Sequence, residues 1–238
     1  MSVNYSPITS TSGLILNLDA GNIKSYPGSG TTWYDTSGNN NHFTINASAY
    51  NSTGPKYMDF NGSYGCGVTA SGTDFLISGT VTAVLWTRIK NSTADWRTLF
   101  RGESSGADHS VIVQTAGWLI GMYDNTNFTG FNSSGFSQQN IPGYGTTQWN
   151  MLVWRWKSVQ NVNYYYNFSY NDTPSTLRGY ISSANARFKS GFRTLGAYNS
   201  ASPSQFWGDI SQLSMYNRYL DDQELLSMFY SQRGRYGL

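Results

Sequence analysis

Carboxylates are scarce in this chain, and their placement limits the chemistry open to it. Glutamate occurs only as Glu103 and Glu224. A retaining glycosidase sets two carboxylates roughly 5 Å apart across the sugar, and neither glutamate has a carboxylate partner two strand positions away. Glu103 lies in the turn Arg101-Gly102-Glu103-Ser104-Ser105-Gly106. Glu224 follows Asp221 and Asp222 at a helix start, where capping explains the acidic cluster better than catalysis. His42 and His109 are the only histidines, and their spacing suits no zinc site. Asp108-His109-Ser110 holds triad residue types, but neighbours on a strand point to opposite faces. Cys66, the one cysteine, stands between two glycines with no histidine beside it. It reads as a small buried residue or a loop thiol, and a disulfide framework is excluded. No Gly-rich phosphate loop ending in Lys-Ser/Thr occurs. The expectation from these residues is a protein that is not an enzyme.

Residues suited to binding are more numerous. Tyr26, Trp33, Tyr34, Tyr123, Phe128, Phe131 and Tyr144 fall in loop-rich segments rich in amide and hydroxyl groups. Aromatic rings there suit the apolar face of a pyranose, or a neighbouring subunit. The alternative is that they seal the ends of a sandwich, and for Trp33 this structural role is the stronger reading. Asp35, Asn39, Asp59 and Asp124 are hard oxygen donors in turn-like surroundings and are the candidate Ca²⁺ ligands. Asx turns account for each of the four without a metal, and that reading is favoured.

These residues must be positioned by strands. Residues 14–21, 57–62, 80–89, 96–101, 111–115, 118–123, 149–156 and 192–197 are strand-like, separated by polar turns, which is the pattern of an antiparallel sandwich. Residues 111–115 and 118–123 form a hairpin across Ala116-Gly117. A further hairpin joins 163–170 to 176–181. Residues 149–156 are apolar on both faces, which marks them as the central strand. Residues 124–148 lack periodicity and read as a long surface excursion. From Trp207 to Tyr216 the apolar residues change phase, with Ile210 on one and Leu213 and Met215 on the other. That slip predicts a bulge or a strand covered on both faces. Asn217-Arg218 turns the chain, Asp221 with Glu224 forms a capping box, and Leu225, Leu226, Phe229 and Tyr230 fall on one helical face.

The chain has 238 residues, 12% of them charged and 16% aromatic, with a net charge of +2. The small charge and the lack of a basic run exclude nucleic acid as a partner. No apolar run reaches membrane-spanning length, and no charged and apolar leader follows Met1, so no signal peptide is expected. Residues 1–12 read as an N-terminal arm and 13–238 as a single domain.

Three segments carry a resemblance. The first is Leu18-Asp19-Ala20-Gly21, followed by Tyr26-Pro27-Gly28-Ser29-Gly30-Thr31, Trp33, Asp35 and Ser37-Gly38-Asn39. The second is Tyr57-Met58-Asp59-Phe60-Asn61-Gly62. The third is Trp207-Gly208-Asp209-Ile210 with Tyr216-Asn217-Arg218 and Leu220. Together they resemble concanavalin A-like (laminin G-like) jelly-roll domains, especially those of bacteriophage and other virion proteins. The resemblance implies an all-β, antiparallel jelly-roll β-sandwich with a short C-terminal helix. It also implies a Ca²⁺ site on a loop rim as a feature of the fold, although no ligand set matches residue by residue. Hydrolases of the fold place Glu-x-Asp-x-x-Glu on one strand, a pattern missing here. The resemblance implies a non-enzymatic virion structural, decoration or fibre (adhesin) protein, assembled in a host cytoplasm. Its expected partners are other virion subunits, further copies of itself and host glycans. A free carbohydrate-binding lectin is the alternative, and a glycoside hydrolase stands third.

Overall fold

The phase slip between Ile210 and Leu213 is a β-bulge, and the sandwich is built around the strand that carries it. The computed structural model describes residues 10–46, 49–61, 65–68, 75–76, 80–90, 96–101, 109–114, 119–123, 128–130, 148–156, 162–163, 182–183, 191–192, 194–196 and 206–238. In chain order the described strands are β1 (Leu14–Asp19), β2 (Thr32–Trp33), β3 (Phe43–Asn46), β4 (Ala49–Asn51), β5 (Tyr57–Asn61), β6 (Gly65–Val68), β7 (Phe75–Leu76), β8 (Val81–Ile89) and β9 (Trp96–Arg101). They continue with β10 (His109–Gln114), β11 (Leu119–Tyr123), β12 (Phe128–Gly130), β13 (Asn150–Trp156), β14 (Val162–Asn163), β15 (Ser182–Ser183), β16 (Gly191–Phe192), β17 (Thr194–Leu195) and β18 (Trp207–Tyr216). The helix α1 (Asp222–Gln232) and a 3-10 turn, Arg233–Tyr236, close the chain.

Two antiparallel sheets form a jelly-roll β-sandwich. One has the order β13-β8-β18-β5-β4, with β1 also paired to β18, and the other runs β12-β11-β10-β9-β17-β6-β3-β2. Strand β18 pairs with β8 along one edge and with β5 and β1 along the other. Its register against β8 shifts between Ile210 and Gln212. The extra residue turns Ile210, Leu213 and Met215 to the same face, where they meet Phe43, Leu99, Phe100 and Leu195 of the opposite sheet. Gly208 is set by close approach: a Cβ there would lie 2.5 Å from Phe206 Cζ and 2.7 Å from the Arg88 carbonyl oxygen.

The other face of the first sheet is also buried. Trp86, Met151, Val153 and Tyr216 lie beneath Leu225, Met228, Phe229 and Tyr236. The Tyr236 ring stacks on Trp86 with centroids 3.9 Å apart. Fully burying such a side chain contributes about 1.5–3 kcal/mol, so both layers stabilise the sheet between them.

Two expectations are corrected here. Residues 149–156 do not form the central strand: β13 pairs with β8, and β18 holds the middle position. Both faces of β13 are apolar because α1 covers the side away from the opposite sheet. Residues 124–148 are not wholly irregular either, since β12 pairs with β11 across Tyr123 and Phe128. The hairpin of β10 and β11 forms as expected. Val162–Asn163 pairs with Ser182–Ser183, which shares only Asn163 with the hairpin expected over 163–170 and 176–181, and residues 164–181 lie outside the described residues.

The helix start has a complete capping box. The Asp221 carboxylate accepts from the Glu224 backbone N–H at 2.8 Å, and Glu224 accepts from the Asp221 N–H at 3.1 Å. Arg218 donates two bonds to Glu224, and reaches Ser10 Oγ and the Ser12 carbonyl. The Arg218 guanidinium holds the Glu224 carboxyl below its ordinary range. A depressed folded-state value means this carboxylate stabilises the fold above its unfolded pKa, and that share is lost as pH falls through the folded value. Glutamine at this position can still complete the capping box, so urea unfolding of wild type and Glu224→Gln should differ by the ion pair with Arg218, about 0.5–1 kcal/mol at pH 7. The gap should close between about pH 4.3 and more acidic conditions.

Candidate functional site

The loop from Asn22 to His42 is built to hold one edge of the sandwich, and in doing so it presents a ring to solvent. Among the described residues, strand β1 pairs with β18 on one side only, so its other backbone edge needs partners. Residues 35–41 supply them. Asp35 Oδ1 accepts from the Asn17 N–H at 2.9 Å, and the Thr36 N–H donates to the Asn17 carbonyl at 2.9 Å. The Asn41 side chain donates to the Ile15 carbonyl at 2.9 Å and the Asn39 side chain to the Leu14 carbonyl at 3.1 Å. Asp35 also accepts from the Ser37 N–H and Oγ and from the Asn41 N–H, at 2.8, 2.8 and 3.0 Å.

This geometry decides the fate of the aromatic candidates whose side chains are described. Trp33 is fully buried in the core, and Tyr26 is buried with its ring 4.8 Å from Tyr50 and its hydroxyl donating to the Gly30 carbonyl. As ligand platforms these two are corrected: neither has a ring face open to solvent. Tyr34 does, at 42% exposure. His42 stands edge-on to it, 5.2 Å away at 72°. The Asp35 N–H donates to His42 Nδ1 at 3.0 Å, which places the hydrogen of the neutral ring on Nε2. Tyr123 and Phe128 are cross-strand partners at one end of the second sheet. Phe131 and Tyr144 lie outside the described residues.

The oxygen donors proposed for Ca²⁺ do not converge. Both Asp35 oxygens are filled by the four donors named above, and Asn39 is turned toward β1 and Ser37. Asp59 sits on β5 against Lys90, and Asp124 lies outside the described residues. Among the described residues, no three His, Cys, Asp or Glu side chains are grouped to hold a metal ion.

A second region went unnoticed in the sequence. Asp209 of β18 lies opposite Arg88 of β8 and Asp59 of β5. Its carboxylate is fully buried and pairs with Arg88, while the Lys90 ammonium lies 2.8 Å from Oδ1 of both Asp209 and Asp59. The Arg88 guanidinium packs over the rings of Tyr57 and Trp149, at 4.9 and 5.2 Å. Burial pushes the Asp209 carboxyl up against the pull of Lys90 and Arg88. For Lys90, burial is outweighed by the two carboxylates, which hold the ammonium above its ordinary range. The available signal was an aspartate inside an otherwise apolar strand, a charge that must find a partner.

Fold and site together define an antiparallel jelly-roll β-sandwich with a rim loop clamped to its edge and a helix closing its outer face. No family model and no curated protein matches the sequence. Solved structures do match. A Trypanosoma rangeli sialidase in complex with sialic acid superposes with a TM-score of 0.60 at 12% identity, over 94% of this chain and 33% of that one. The binding domain of botulinum neurotoxin DC in complex with SialylT gives 0.61 at 14% identity, over 93% of this chain and 52% of the other. The same domain in complex with rat synaptotagmin II gives 0.61 over 94% and 52%. The likeness is one of fold, and the chain spans about a third of the sialidases and about half of the toxin chains. The sialidase match overturns the expectation that the chain is not an enzyme. That exclusion rested on a missing pair of carboxylates, and sialidases with a tyrosine nucleophile are exceptions to the two-carboxylate rule.

Replacing Asp35 with Ala strands the N–H groups of Asn17, Ser37 and Asn41. The expected loss is roughly 2–4 kcal/mol in urea unfolding, with earlier hydrogen exchange at Asn17.

Proposed function

We propose that this chain is a saccharide-binding module of the concanavalin A-like jelly-roll type, with the Tyr34 loop as its recognition surface. The supporting observation is the Tyr34 ring, 42% exposed on a loop whose carboxylate hub fixes the backbone on either side. A tyrosine held in this way offers a flat apolar face to a pyranose at little conformational cost. The imidazole of His42, set at 72° to it, forms the second wall of a corner. Matched structures with this fold were solved in complex with sialic acid and with SialylT, which favours glycans as the ligand class. Tyr34→Ala should lower affinity on a glycan array by roughly tenfold, the scale of one aromatic contact of about 1.4 kcal/mol. Its unfolding midpoint should stay near wild type, because the ring is not in the core. An array on which wild type binds nothing would refute the reading, as would Tyr34→Ala binding unchanged.

We further propose that the module sits on a virion or fibre, contacting neighbouring subunits or its own copies. The resemblance of the terminal segments to virion domains supports this. Recovery of the protein in purified particles is the expected result, and a protein found only free and monomeric by light scattering would refute it.

A further inference from the structure

We propose that the open end of the ion row, Asp59 with Lys90, is a second saccharide subsite, one that grips two hydroxyls on adjacent carbons of a neutral sugar. It is carried by the row on the sheet and does not depend on the Tyr34 loop.

The row is graded from buried to open. Asp209 has no side-chain exposure, Arg88 has 19%, Lys90 has 30% and Asp59 has 33%. The Trp86 end of this face lies under Tyr236 and Phe229, so solvent meets the row at Asp59 and Lys90. An exposed Lys–Asp pair alone is floppy and contributes little. This one is held from behind. Asp209 grips the ammonium, Arg88 grips Asp209, and Tyr57 and Trp149 pack against Arg88. Burying the Asp209 carboxylate costs more than an apolar residue would. That cost fixes a donor and an acceptor in place before any ligand arrives, as a binding site requires.

The chemistry of the opening selects the ligand. An ammonium has three donors, and Lys90 directs one at Asp59 Oδ1 while its contact with the buried Asp209 Oδ1 is an ion pair outside hydrogen-bond geometry. Donor capacity is therefore left for a hydroxyl oxygen. Asp59 bonds Lys90 through Oδ1, leaving its second oxygen to accept from a hydroxyl. The Lys90 ammonium and the Asp59 carboxylate are in direct contact, so a donor and an acceptor lie side by side, as neighbouring hydroxyls on a pyranose require, one accepting and one donating. Two aspartates offset one lysine and one arginine, so the row is neutral and favours an uncharged sugar over an anion. A metal cation is disfavoured as well, because the Lys90 ammonium already stands between the two carboxylates.

Amide chemical-shift mapping of the full chain tests this, with methyl β-galactopyranoside and methyl α-mannopyranoside as probes and tetrahydropyran as the hydroxyl-free ring. The expected result is saturable shifts at Asp59, Lys90 and Asp209 with at least one glycoside and none with tetrahydropyran. Asp59→Asn and Lys90→Met should each weaken those shifts roughly tenfold while the remaining spectrum stays that of the folded protein. The map also separates the two sites, since shifts confined to Tyr34 and its neighbours would support the rim loop and overturn this subsite. No saturable shift at the row with either glycoside would overturn it. Equal affinity in Asp59→Asn and wild type would do so too, and Lys90→Arg, which keeps the charge, serves if Lys90→Met fails to fold.

Discussion

Everything in this domain depends on burying one sheet on both faces. Strand β18 carries that burden at its centre, and the bulge at Ser211 reconciles two demands that a regular strand cannot meet. Ile210 must reach the inter-sheet core beside Phe60 and Met58. Past the bulge, Tyr216 must reach the outer cluster under Met228 and Phe229. With strict alternation, Ile210 and Leu213 would face opposite ways. The extra residue brings them together and leaves Ser211 to accept bonds from Tyr236 and Arg235, which tie the chain end to the sheet.

The two proposed sites lie where double burial leaves the surface uncovered. One such place is the free edge of β1, which the Asp35 loop closes, and Tyr34 is displayed as a by-product of that clamp. The other is the end of the outer face past the helix, where apolar cover gives out and charges take over. There Asp209 is affordable only because Arg88 and Lys90 stand beside it. Both places border a well-packed layer and are held to it by hydrogen bonds or ion pairs, and such fixing is what a binding surface requires.

Local features were legible in the sequence. The bulge showed as a change of phase, the helix start as Asp221 with Glu224, and the β10–β11 hairpin as two strands across Ala116-Gly117. Features that depend on a third layer were hidden. β13 looked central because the helix that covers it lies some seventy positions later, and periodicity cannot tell a central strand from one roofed by a helix. The Asp35 segment was visible as a motif, but its role required knowing that β1 has a free edge. The ion row joins residues 31 and 121 positions apart, so no local pattern announces it. Carboxylate spacing was sound as a test for one glycosidase mechanism and too narrow as a test for all of them.

The most direct measurement is saturation-transfer difference NMR on the full chain with a sialylated and a neutral oligosaccharide. Saturation is placed on the protein and read on the sugar protons. The account predicts transfer concentrated on one apolar face of a pyranose ring, as a stacked tyrosine imposes, and its loss in Tyr34→Ser. Transfer spread evenly over the sugar, or absent with every oligosaccharide while the protein remains folded, would contradict it.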